Sequence, residues 1–157
     1  MGQTSRRDDD AGGASGRRGD DASGRRRDDT TLGGHDDGQT WTRVDAWLLA
    51  ATSSAAEGCT LADLVATADG INHAVPSTAE LADSLAHLIG SGMLLWHGDR
   101  LLLTPAGRAI RRSWRHGLFS WSKALLPRLR TVPRLRGDLP FGTGELDAAR
   151  AAYRARH

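Results

Sequence analysis

Arg108, Arg111, Arg112 and Arg115 are the residues of this chain whose type and spacing most clearly suit a chemical task. At 100° per residue they cluster on one side of a helix whose other side carries Ala106, Ile110 and Trp114. Guanidinium groups are permanent, planar, forked donors that match phosphate oxygens. Three tasks fit such a helix. Its apolar stripe can pack on the rest of the fold or on a second copy of the chain, with the arginines solvating the outside. The arginine face can hold nucleic-acid phosphates. Tryptophan and arginine together can also rest on an anionic membrane surface, as basic amphipathic helices do. Arg100, in a short hairpin upstream, is a fifth candidate for contact with nucleic acid.

Other chemistries lack their residues. Of six histidines, His73, His87 and His97 fall on different predicted elements, and no H-x-x-x-H spacing occurs. Cys59 is the single cysteine, so neither a disulfide within the chain nor a thiolate metal cluster is expected. No Ser–His–Asp arrangement follows from chain order, and no glycine-rich phosphate loop follows a strand. The apolar residues are committed to helix stripes, which leaves little for a catalytic pocket. A protein without enzymatic activity, cofactor or metal is expected.

Charge is unevenly distributed. Residues 1–40 hold seven arginines against nine aspartates in loose Arg-Arg-Asp-Asp blocks, with Leu32 almost alone as a large apolar side chain. Such a segment cannot bury enough surface to offset the entropy of ordering, and a disordered, low-complexity tail is expected there. Residues 41–104 have Arg43 and Arg100 against seven acids, whereas residues 105–136 have eight arginines and Lys123 with no acid at all. An acidic core followed by a basic extension bears directly on the choice of partner. No N-terminal apolar region and no run near the roughly 20 apolar residues of a membrane span is present, which predicts a cytoplasmic protein.

The elements that must position these residues lie between Trp41 and Trp114. Trp41, Val44, Trp47, Leu48 and Ala51 predict a helix over 42–52. Thr60, with Asp63 three residues on, caps a second helix whose inner face is Leu61, Leu64, Val65 and Ala68; Asp69-Gly70 should end it. Ser77 and Glu80 form a capping box for a third, lined by Leu81, Leu85, Leu88 and Ile89. Asn72-His73 reads as a polar loop cap before that helix. Met93–Trp96 and Arg100–Leu103 predict strands joined at His97-Gly98-Asp99. Thr104 with Pro105 then opens a fourth helix. Beyond Gly117, Leu118, Trp121, Leu125 and Leu129 make a further stripe, with Pro127 expected to end that helix near Leu126. Leu48, Leu64, Leu81, Leu85, Leu88 and Leu101 should share one core.

Residues 41–115 resemble a bacterial winged-helix domain of the MarR-like or PadR-like kind, in which a short wing also runs into a Leu-Thr-x-x-Gly-Arg helix start, here Leu103 to Arg108. The phrase Ile71-Asn72-His73-Ala74-Val75-Pro76 is similar to one in a group of uncharacterised bacterial winged-helix proteins. The expected architecture is thus a mainly α winged helix over 41–115, a tail over 1–40, and a basic helical extension over 116–157. The resemblance implies a transcriptional regulator that associates with double-stranded DNA, with its third helix in the major groove. The outward face predicted for that helix carries Glu80, Asp83, Ser84, His87 and Ser91, with no Arg, Lys, Asn or Gln to read bases. DNA contact is therefore expected on Arg100, Arg108, Arg111, Arg112 and Arg115. The alternative is a protein-interaction or adaptor module that has lost the DNA-reading surface, with attachment at an anionic membrane as a variant. A homodimer or a protein partner would dock through the C-terminal helices.

Overall fold

The computed structural model describes residues 40–114 and 120–156. The expected N-terminal tail, apart from Thr40, and Arg115 lie outside these residues. The described chain is mainly helical, with one small antiparallel sheet. Its first helix, α1 (Arg43–Ala51), is capped by Thr42, whose hydroxyl accepts from the Asp45 amide at 3.2 Å while Asp45 Oδ2 accepts from the Thr42 amide at 2.8 Å. Every residue from Asp45 to Ala51 is buried, so α1 is surrounded rather than amphipathic. Trp47 Nε1 donates to the Ala68 carbonyl at 2.9 Å, which ties this helix to the next.

Thr60 and Asp63 cap α2 (Leu61–Asn72) reciprocally, and Ser77 and Glu80 cap α3 (Thr78–Gly90) in the same way. The second helix runs past the expected stop at Asp69-Gly70. Ile71 is buried and holds the added turn in place, and His73, at φ 52°, takes the left-handed position instead of glycine. His73 therefore closes α2 rather than opening α3. Strands β1 (Leu94–His97) and β2 (Arg100–Leu103) pair antiparallel, with His97 opposite Arg100 across Gly98-Asp99. Cys59 adds an isolated bridge to Leu101, exchanging backbone bonds of 3.0 and 2.8 Å.

The fourth helix, α4 (Pro105–Arg111), is shorter than the stripe of Ala106, Ile110 and Trp114 implied. Ala106 is exposed and Gly107 is the buried position. A Cβ on Gly107 would lie 2.1 Å from the Met93 carbonyl oxygen, so the helix seats on the start of the hairpin through backbone contact. Helix α5 (Trp121–Leu129) contains Pro127 rather than ending before it. The missing amide falls in the last turn, and burial of Trp121, Leu125 and Leu129 holds that turn in place. Helix α6 (Thr143–Arg154) buries Leu146, Ala149 and Tyr153 against α2 and α3. Leu48, Leu64, Leu81, Leu85, Leu88 and Leu101 do share one core, which the apolar residues of α5 and α6 also join. No described helix is long and apolar enough to cross a membrane.

The segment between α5 and α6 decides what α3 presents. It passes along the outward face of α3 and closes part of it. Arg134, 7% exposed, donates from Nε to Asp45 Oδ2 at 3.1 Å and from Nη2 to Asp83 Oδ2 at 2.9 Å. Its Nη1 lies 3.1 Å from His87 Nε2. A guanidinium can only donate, so Nε2 accepts and the ring proton sits on Nδ1, 2.8 Å from the Asp83 carbonyl. Arg136 donates to the other Asp83 oxygen at 2.6 Å, the Leu135 amide donates to Ser91 Oγ at 2.8 Å, and the Gly137 amide to the Ala86 carbonyl at 2.9 Å. Gly90 makes this approach possible, because a Cβ there would lie 2.2 Å from the Gly137 nitrogen. His87, expected on an outward face, is consequently buried, at 4% exposure; Ser84, expected there too, is buried at 2% and lies only about 60° around the helix from the core residue Leu81.

Removing Arg134 leaves the Asp45 carboxylate buried without its counter-charge. Arg134→Ala should therefore cost about 3–5 kcal/mol in urea unfolding, and Asp45→Asn combined with Arg134→Met should recover much of that loss. A cost under about 1 kcal/mol for the single change would show that the pair does not hold the segment. Asp83 makes a pH-dependent contribution. Burial opposes its ionisation, but hydrogen bonds from Arg136 and Arg134 outweigh that and hold its carboxyl below the ordinary value of 3.8. A depressed folded value means the stabilisation is complete above the unfolded value and lost as pH falls through the folded one. The stability difference between the native chain and Asp83→Asn should thus hold from neutral pH down to about 4 and shrink below it.

Candidate nucleic-acid interface

Three of the five arginines expected to meet phosphate come together around one concavity of about 390 Å³ lined by Ser54, Leu103, Arg108, Arg111, Arg112 and Trp114. Backbone geometry brings them there. The loop after α1 supplies Ser54, the end of β2 supplies Leu103, and the Thr104 cap turns the chain so that α4 starts against both. Its lining contains three cations and no carboxylate.

The arginines differ in what they are free to do. Arg112 is exposed and Arg108 partly so. Arg111 is half-buried; its Nε donates to the Ala50 carbonyl at 3.3 Å, and its guanidinium lies 5.9 Å from the centre of the Trp114 ring. Burial lowers its pKa from the ordinary arginine value. Arg111 and Trp114 meet on the same side although the sequence puts them in opposite groups, because an i, i+3 pair lies only about 60° apart around a helix. Arg111 fixes the wall of the concavity, while Arg108 and Arg112 offer donors at its rim.

Arg100 stands apart. It sits at the hairpin turn with its Nε 3.9 Å from Asp99, its side chain 41% exposed, and it does not line the concavity. Arg115 lies outside the described residues. On α3, Glu80 is exposed and the Asp83 side chain half so, but Asp83 is held by Arg134 and Arg136. Ser54 escaped sequence reasoning, since a serine in a polar loop carries no signal of what folds over it. Cys59 lies near Arg111, but burial pushes its thiol up, which leaves it a poor nucleophile.

No protein-family model matches the chain, and neither the curated proteins nor the solved structures contain a match to it. The separation of roles among the arginines is directly measurable. Arg111→Ala should lower the unfolding midpoint, with a loss of about 1–3 kcal/mol from the orphaned Ala50 carbonyl and lost packing. Arg108→Ala and Arg112→Ala should each stay within about 0.5 kcal/mol of the native chain. Equal losses for all three would refute the assignment of Arg111 to the wall.

Proposed function

We propose that this chain is a non-enzymatic winged-helix protein that associates with double-stranded DNA through phosphate contacts and not through base reading by α3. The order of three helices, hairpin and fourth helix supports the winged-helix reading, as does the Cys59–Leu101 bridge that widens the hairpin. The observation that carries the DNA reading is the carboxylate-free concavity, where Arg108 and Arg112 present donors around the half-buried Arg111. Neutralising phosphates releases condensed counterions, so a surface of this kind binds duplex DNA with little regard to sequence. Arg100 adds a contact from the hairpin, and Arg115 another from the segment after α4. The protein acts in the cytoplasm, either alone or as a dimer.

A second reading is favoured by the covered face of α3. A winged helix whose third helix is partly covered by its own Arg134 and Arg136 is also what an adaptor that works through protein contacts would look like. Titration of the full chain with a mixed-sequence duplex at two salt concentrations separates the two. The DNA reading expects micromolar or tighter binding at low salt, weakening steeply as salt rises, with the slope reduced by roughly one unit for each of Arg108→Gln and Arg112→Gln. Glu80→Gln should leave binding unchanged or strengthen it. Absence of binding at low salt selects the adaptor, and loss of binding on changing Glu80 would restore α3 as the reader.

A further inference from the structure

A second basic groove lies along α5. It has a volume of about 440 Å³ and is lined by Arg43, Ser122, Lys123, Leu126, Pro127 and Arg130. Arg43 comes from the start of α1 and the rest from α5 and its C-terminus, so residues about eighty positions apart in sequence converge here. Arg43, Lys123 and Arg130 are all exposed, and no carboxylate lines the groove.

Arg43 is the informative member. It occupies the first position of α1, where the helix dipole and unsatisfied amides disfavour a cation. Its guanidinium is held 5.9 Å from the centre of the Trp121 ring, a cation–π contact that places it over α5. Helix α5 packs against both α1 and α4, the elements that carry Arg43 and the arginines Arg108 and Arg111. From residue 105 to residue 136 the sequence carries no acid.

We infer that this groove is a second phosphate-contact site, at which Arg43, Lys123 and Arg130 hold the backbone of the same duplex that Arg108 and Arg112 engage. The inference rests on the DNA reading above and extends the contact surface from α4 across α5. Two separate cation clusters on neighbouring elements suit a polyanion with charge repeating along its length, whereas a single small anion would satisfy only one of them. An anionic bilayer fits less well. Attachment of that kind needs apolar side chains free to insert, and Trp121, Leu125 and Leu129 of α5 are buried in the core. The large exposed apolar residues among those described, Leu95 and Leu135, lie on β1 and beside α3 instead.

The test is fluorescence anisotropy of a labelled mixed-sequence duplex with the full chain, its Arg43→Gln/Lys123→Gln/Arg130→Gln variant, and Arg128→Gln as a control on an exposed α5 arginine outside the groove. Thermal unfolding verifies that the exposed changes leave the fold intact. The triple variant should lower the salt slope by roughly two to three units, and the control should leave it near the native value. If the native chain binds and the triple variant keeps the native slope, the groove is not a contact and the DNA reading stands without it. If Arg128→Gln lowers the slope as much per residue as the groove changes do, the effect is net charge alone and the site is refuted. If the native chain fails to bind duplex at low salt, both readings fall. Loss of binding to phosphatidylserine vesicles with unchanged duplex binding would assign the groove to a membrane and overturn the inference.

Discussion

A buried ion pair between Asp45 and Arg134 governs what the surface of this protein can be. Asp45 is fully buried in the first turn of α1, where it both completes a helix cap and carries a charge that water cannot reach. Such a charge is tolerated only with a partner at hydrogen-bond distance. Arg134 supplies that partner at 3.1 Å, and its other donors reach His87 and Asp83. Fixing Arg134 fixes the path of its neighbours. Arg136 and Leu135 are drawn onto Asp83 and Ser91, and Trp41 Nε1 donates to the Val132 carbonyl at 2.7 Å on the approach. The segment leading to α6 therefore follows from one electrostatic requirement at the centre of the molecule.

That path gives the acidic character of α3 a structural cause. Asp83 on a helix meant to approach phosphate would be repelled, but as an acceptor for two arginines of the same chain it is well placed. Its chemistry serves internal closure. The charges that remain available lie elsewhere, along α4 and α5, where no carboxylate competes. Separation of an acid-satisfied face from an acid-free one follows from the order of the sequence, with seven acids against two arginines over residues 41–104 and nine bases without an acid over 105–136.

Local signals carried much of the architecture. Thr60 with Asp63, Ser77 with Glu80, and Thr104 with Pro105 are contained within a few residues, and each starts a helix where the sequence places it. The leucines of the core follow from periodicity for the same reason. What could not be read was long-range. Arg134 is one of eight arginines between residues 105 and 136, and nothing in its neighbours marks it as the buried one. His87 projects outward from an isolated helix, and only Arg134, 47 residues later, covers it. Pro127 and the stripe ending at Trp114 failed differently. Position within the last turn decides whether a proline is tolerated, and a helical projection has no meaning beyond the helix end. At the candidate site, the arginine cluster was legible, but the division between Arg111 in the wall and Arg108 and Arg112 at the rim depends on Ala50 and Trp114 closing around one of them. Arg43 gave no sequence signal, because its partners in the groove are about eighty residues away.

The span of the Asp45–Arg134 bond, 89 residues, has a consequence for how the chain reaches its native state. α1, α2 and α3 are synthesised well before Arg134, and without it Asp45 lacks its internal counter-charge and His87 its cover. Burying that carboxylate unpaired costs several kcal/mol, which disfavours the final packing of the early helices until Arg134 is in place. Loop closure over such a distance is slow compared with formation of the local helices. A polypeptide ending before residue 134 would lack the partner of a buried carboxylate and is expected to be markedly less stable and more exposed to proteolysis than the full chain.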